Sequence, residues 1–394
     1  TDFGQSWKEI VTGLPVDDYV KVIRQSPHDP DFLLIGMEHG IYASWDMGSN
    51  WTRINNNLPP ASVRDLRIHP REHDIIVGTH GRGVWILDDA RPLMQLGGTS
   101  DENVHLYPVR TATRWHNYQQ VESLGQAVYR ADNPDYGAYI NFLLKNNPDE
   151  KVIVEIKDAS GAVIRELSDT TCTSGINRIV WNFSGPEADP MDNPIGGGWW
   201  RGSPRQVMPP GTYTAVLQAN GEEHTTEITV RADPRLELTP DDYSIQAKTT
   251  GELLGLLSAA HGMINQVDDL NSQLSAVKSR IDKEDDEDLE PLAEDAASVL
   301  KDLKGQKATL TRPPPAMSYR QKPQLREEIL SVLRAVNNVP ARPTDAQIER
   351  VSSLREEADV IRQAIEQIIV GPIARLNAQM EGMPAISVKR VIRP

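Results

Sequence analysis

The sequence predicts a multidomain chain, mainly β and then α. It reads as the end blades of a β-propeller, an immunoglobulin-like β-sandwich and a C-terminal antiparallel helical bundle. Three observations carry this. Short apolar segments repeat at a spacing of 42 to 44 residues over residues 1–90. Several short strand-like segments with regular turn signals between them fill residues 136–232. Helical apolar periodicity runs through residues 239–382.

The repeat is seen first in a loop motif. Asp2-Phe3-Gly4-Gln5-Ser6-Trp7 recurs as Asp46-Met47-Gly48-Ser49-Asn50-Trp51, the second copy led by Ser44. Ser and Asp fold a tight loop by bonding nearby backbone. Gly permits a positive φ, and Trp plugs the loop into a core. Asp2, Gly4, Trp7, Ser44, Asp46, Gly48 and Trp51 are therefore expected to be scaffold. The flanks repeat in register. Val20–Pro27 aligns with Val63–Pro70, Leu33–Gly36 with Ile75–Gly78, and Gly40–Ala43 with Gly83–Ile86. Such a period with short strands marks a four-stranded blade. Residues 1–90 hold about two blades, and propellers typically need at least four. The remaining blades are expected on a missing N-terminal segment or on another chain. No third loop motif follows residue 89, so the ring is expected to close there.

Composition bounds the rest. The chain has 394 residues, enough for several domains, and a net charge of −15. That charge argues against nucleic acid or an anionic membrane surface as partner. No apolar run approaches the ~20 residues of a membrane helix. The single cysteine, Cys172, allows no intrachain disulfide and reads as a half-buried strand residue.

Residues 91–135 read as a connector, broken by Arg91-Pro92, Gly97-Gly98 and Asn133-Pro134. In the sandwich, strands are expected at Ala138–Leu144, Val152–Ile156, Val163-Ile164 and Asn177–Phe183. A hairpin across Asn220-Gly221 follows. Ser184–Met208 reads as a long insertion without structure of its own. It carries Trp199 and Trp200, which are candidates for ligand binding. Thr239-Pro240-Asp241-Asp242 opens the helical part with a cap, an N1 proline and acidic first-turn residues. Leu253, Leu257, Ala260, Ile264, Val267, Leu274, Val277 and Ile281 form a near-heptad seam. Helices are expected over 289–303 and 325–336. A last one, capped by Thr344 and Gln347, should kink at Gly371-Pro372.

The loop motif resembles the Asp box of bacterial neuraminidase (BNR) repeats. There it joins the outer strands of a blade, on a different face from the ligand site. Gly78-Thr79-His80-Gly81-Arg82-Gly83-Val84-Trp85-Ile86-Leu87-Asp88-Asp89, the order of parts, and Pro372–Asn377 with Gly382-Met383-Pro384 extend the likeness. The chain resembles the C-terminal part of a large exported bacterial BNR propeller protein, similar to sortilin-type propellers and BNR-repeat glycosyl hydrolases. The resemblance implies a secreted or periplasmic protein. The cysteine-rich module that follows sortilin propellers is missing from this sequence.

Two functions follow as expectations. One is an extracellular or periplasmic protein- or glycan-binding and assembly module. The other is a BNR-type glycoside hydrolase with its main catalytic residues on blades outside this chain. Hydrolysis needs two carboxylates ~5–9.5 Å apart, and Glu38, Asp65, Asp88 and Asp89 are the available acids. Glu38-His39 and His80-Gly81-Arg82 occupy equivalent places in the two repeats. His80 and Arg82 suit an anionic or sugar ligand. The acidic run 282–288 lacks the glycine and spacing of a calcium loop. No metal spacing, P-loop or dinucleotide fingerprint appears, so no cofactor is expected.

Overall fold

The computed structural model describes residues 3–99, 101–116, 131–193, 204–284, 289–313, 321–380 and 384–388. It is β-rich first and helical last, and divides into two compact units.

The first unit begins with two antiparallel sheets. Sheet A has β1 (Val20–Gln25), β2 (Leu33–Met37), β3 (Ile41–Ser44) and β4 (Thr52–Arg53), in that order. Sheet B has β5 (Val63–Ile68), β6 (Ile75–Thr79) and β7 (Val84–Leu87), also in chain order. The strands fall where the repeat places them, and both sheets carry a bulge near the start of their first strand, at 20/22 and 63/65. One face of sheet A packs on sheet B. Val22, Leu34, Ile41 and Ala43 share a core with Val63, Leu66, Ile75 and Val77. Gly36 permits the close approach, because a Cβ there would run into the Val63 and Val22 side chains. Arg24 completes the contact, donating to Asp65 Oδ1 at 2.5 Å and to the Leu66 carbonyl at 2.9 Å.

After sheet B the chain forms helix α1 (Arg91–Thr99) and strands β8 (Val104–Leu106) and β9 (Ala112–Arg114), within the stretch read from sequence as a connector. Met94 of α1 joins the core of the two sheets. Trp45 Nε1 donates to the Leu93 carbonyl at 2.7 Å.

Two further sheets follow, built from β10 (Ala138–Leu144), β11 (Val152–Lys157), β12 (Val163–Asp169), β13 (Gly175–Trp181), β16 (Gly211–Ala219) and β17 (Glu222–Ala232). Their orders are β13-β10-β8 and β12-β11-β16-β17-β9. Trp181 and Tyr213 meet edge to face across them at 4.8 Å. Asp158 Oδ1 accepts from the Ser160 and Ala162 amides and folds the expected β11–β12 turn. Two expectations need correcting. Phe183 lies beyond β13 in a left-handed bend, φ +61°, and not on the strand. Cys172 sits between β12 and β13 and not on a strand.

The second unit is mostly helical: α2 (Pro240–Glu284), α3 (Glu290–Leu310), α4 (Leu325–Asn337), α5 (Asp345–Ile368) and α6 (Ala374–Gln379). Every expected seam residue of α2 is buried or packed on this core. Thr344 and Gln347 form the reciprocal cap of α5. At Pro372, which has no N–H to offer, Ile369–Ile373 widens into a π turn where a kink was expected. The insertion is also corrected. Its ends pair as β14 (Ser184–Glu187) and β15 (Arg205–Val207), and both are held on the helices. Among the described residues no helix is long and apolar enough to cross a membrane.

Candidate functional site

The complete loop motif behaves as a scaffold element. Ser44 Oγ donates to Asp46 Oδ1 at 2.8 Å and accepts from the Gly48 amide at 2.8 Å. Asp46 also takes the Asn50 amide and side chain, at 2.8 and 2.7 Å. Asn50 first, then Ser44, holds its carboxyl below the usual range. Met47 and Gly48 take φ of +56° and +87°. Trp51 is buried against Ile35, Met37, Tyr42 and Leu14, and its Nε1 donates to the Ile10 carbonyl at 2.8 Å. In the first copy Phe3 and Gly4 adopt nearly the same backbone, φ +56° and +85°. Its Trp7, however, is 92% exposed. Asp2 lies outside the described residues.

At one end of the sheets the structure gathers Glu38, His39 and His80 around two residues that the sequence reading missed, Asp18 and Ser62. Glu38 Oε2 receives Lys21 Nζ at 3.0 Å and Ser62 Oγ at 3.1 Å. Ser62 also accepts the His80 amide through its carbonyl, at 2.8 Å. One serine therefore ties the equivalent loops of both sheets together. The Lys21 bond, then that of Ser62, holds the Glu38 carboxyl below its usual range. Asp18 accepts the amides of Tyr19, Glu38 and His39, and meets His39 Nδ1 at 3.2 Å. Burial would raise its pKa, but these bonds outweigh burial and lower it. Arg82 is exposed, and its carbonyl takes Trp85 Nε1 at 3.0 Å. Gly81 and Gly83 flank Arg82 with positive φ and open space around them.

Asp88 and Asp89 lie at the opposite end, the end of the Asp46 loop. Asp89 is buried in the left-handed region, φ +50°. It takes both Arg91 Nε (2.6 Å) and Nη2 (2.9 Å), and Asn141 Nδ2 at 3.3 Å. Burial would raise its pKa, but Arg91 outweighs that. Arg178 spans the junction to β10, donating to the Asp88 carbonyl at 2.7 Å and Asn141 Oδ1 at 2.8 Å, and lies 4.3 Å from the Tyr139 ring. Burial and then Asp74 push the Asp88 carboxyl up. Asp65, on β5, is engaged by Arg24 and Arg67. The four acids are thus divided between the two ends and a strand. Trp199 and Trp200 lie outside the described residues. Among the described residues no group of three His, Cys, Asp or Glu is placed to hold a metal ion.

No family model and no curated protein matches the chain. Among solved structures, one match is the extracellular domain of a chain from B. thetaiotaomicron described as a hybrid two component system. It has 13% identity and a TM-score of 0.16, and covers 56% of this chain and 26% of that one. The present chain therefore spans about a quarter of that structure's length. At that score the likeness carries no argument about fold or function.

Proposed function

We propose that this chain is part of an extracellular or periplasmic β-propeller protein that acts as a protein- or glycan-binding and assembly module. Sheets A and B are then two BNR-type blades, the two-sheet region is an immunoglobulin-like sandwich, and the helices are an antiparallel docking bundle. The remaining blades lie on further polypeptide, of this chain or another.

The observation that carries this reading is a mismatch between repeat equivalents. Val63 and Leu66 are fully buried against sheet A, while their equivalents Val20 and Ile23 are 52% and 49% exposed. Ile41 and Ala43 are buried against sheet B, while their equivalents Val84 and Ile86 are 69% and 59% exposed. Each sheet thus keeps open the face that its twin covers. A ring of such sheets covers both. The open Trp7 fits the same account, since its twin Trp51 is plugged. The ligand end is assigned to Glu38, His80 and Arg82, away from the loop motif.

The hydrolase reading rests on one observation. Asp88 is a candidate acid whose pKa is shifted upward, the direction a general acid needs. It weighs less, because Glu38, Asp65 and Asp89 are engaged by cations and shifted down. Peptide mapping and intact mass of the native protein, with its partners, should find further copies of the repeat. A native monomer of 43.9 kDa with both faces open would refute the ring. A glycan array read for both retention and cleavage separates binding from hydrolysis.

A further inference from the structure

The first arm of the insertion, residues 188–192, lies along α2 as a strap. Ala188 and Met191 are buried in the helical core. Three side chains spaced along one helical face hold the strap's backbone. Ser258 Oγ accepts the Asp189 amide at 2.9 Å. Asn265 accepts the Asp192 amide at 2.9 Å and donates to the Pro190 carbonyl at 3.3 Å. Between them His261, 4% exposed, places Nδ1 at 2.6 Å from the Asp189 carbonyl.

The other imidazole nitrogen fixes the charge. Arg326 Nε lies 3.1 Å from His261 Nε2. A guanidinium can only donate, so Nε2 must accept. The ring is therefore neutral, with its proton on Nδ1, donated to the Asp189 carbonyl. Both ring nitrogens are used, and only in the uncharged form.

We infer that the strap and α2 form an acid-released latch, with His261 as its proton-sensing pin. Protonation sets an Nε2–H against the Arg326 N–H and brings two cations together in a buried place. The charged groups that act on the pin are Arg326 on α4, with Glu327 beside it, and Asp189 on the strap. Glu327 pairs with Arg326, Nη1 to Oε1 at 3.3 Å, and offsets part of this repulsion, but the added Nε2–H still faces the Arg326 Nε–H with no acceptor between them. The Asp189 carboxylate is exposed to water.

Burial first, and then Arg326, lowers the His261 pKa, with Asp189 pulling the other way. The latched state therefore binds fewer protons than the released state. The latch is at full strength above the ordinary histidine pKa of about 6.5. It weakens as pH falls below that value, by up to about tenfold per pH unit.

Hydrogen–deuterium exchange of the full chain at pH 7.5 and 5.5 tests this, with rates corrected for intrinsic chemistry. Peptides covering 186–193 should lose about tenfold protection at the lower pH relative to peptides within α2. His261→Asn keeps a donor near the Nδ1 position and cannot titrate. Arg326→Gln keeps a donor and removes the opposing charge. His261→Asn should hold strap protection within about twofold between the two pH values, and Arg326→Gln, which leaves the buried imidazole in place, should show a smaller loss than the wild type. Equal protection of the wild-type strap at both pH values overturns the latch. So does a wild-type loss that both variants reproduce. If a variant loses α2 protection and so fails to fold, the wild-type comparison still decides.

Discussion

Trp7 and Trp51 occupy the same place in the two copies of one motif, yet their removal should differ several-fold in free energy. Trp51 is 5% exposed and Trp7 is 92% exposed. A buried tryptophan removes roughly 150–250 Å² from water. At ~25 cal/mol per Å² this is about 4–6 kcal/mol as an upper bound. Mutational costs for truncating a buried aromatic run at about 3–5 kcal/mol. Trp51→Ala also leaves the Ile10 carbonyl without the indole donor. It should therefore cost about 3–5 kcal/mol, and Trp7→Ala less than about 0.5 kcal/mol. A single two-state melt is not appropriate for a chain of two units. The assay is hydrogen exchange in peptides covering β2 and β3 along a urea series. If the two variants cost the same within about 1 kcal/mol, the motif is not acting through burial and the scaffold account fails.

Gly36→Ala should cost about 1–3 kcal/mol by overpacking, because its Cβ would lie 2.8 Å from Val22 Cγ1 and against Val63. Its twin Gly78 has 3.6 Å to its nearest neighbour, so Gly78→Ala should be silent in exchange experiments on this chain and harmful only where another sheet covers that face. Burial pushes the Cys172 thiol up to about 11. Iodoacetamide at pH 7.5 should therefore label it far more slowly than a free cysteine, and labelling at the free rate would contradict the burial. Arg235 holds the buried Asp233 carboxyl well below the usual range. Its contribution is full above the ordinary value of about 3.8 and fades as pH falls below it. Acid unfolding of the helical unit, followed by near-UV dichroism, should lose that component in Asp233→Asn.

The strands and helices were legible because their signals are local. A nearly continuous apolar run bounded by turn residues marked β10 at its observed bounds. The i, i+4 rows of α2, the Thr344 cap and the position of Pro372 marked the helical part. The site was less legible because its partners are distant in sequence. Ser62 reaches Glu38 across 24 residues, and Arg178 reaches the Asp88 carbonyl across 90. Neither residue carries a spacing signal, and a serine before a strand or an arginine within one has many ordinary uses. The insertion was misread for a related reason. Its Ala188 and Met191 are isolated apolar residues whose burial depends on α2, which no local periodicity reveals.

The two ends of the sheet pair are not equally free to act on a ligand, and this difference can be tested. At the Asp89 end, charged groups are turned inward: Arg91 and Asn141 bind Asp89, and Arg178 joins sheet B to β10 through two carbonyls, Asn141 and Tyr139. Arg178→Ala leaves several buried acceptors without a donor and should cost about 2–4 kcal/mol, since each such group costs about 1–3 kcal/mol. At the Glu38 end the backbone is tied down by Asp18 and Ser62, while the His80 and Arg82 side chains face water between open glycines. A rigid base that presents an exposed imidazole and an exposed guanidinium is suited to recognition. His80→Ala with Arg82→Glu should leave exchange protection of β6 and β7 unchanged within about 0.5 kcal/mol and lower retention of acidic ligands on a glycan or peptide array at least tenfold. Arg178→Ala should do the reverse. If the double variant unfolds sheet B while binding survives in what remains folded, recognition does not reside at this end.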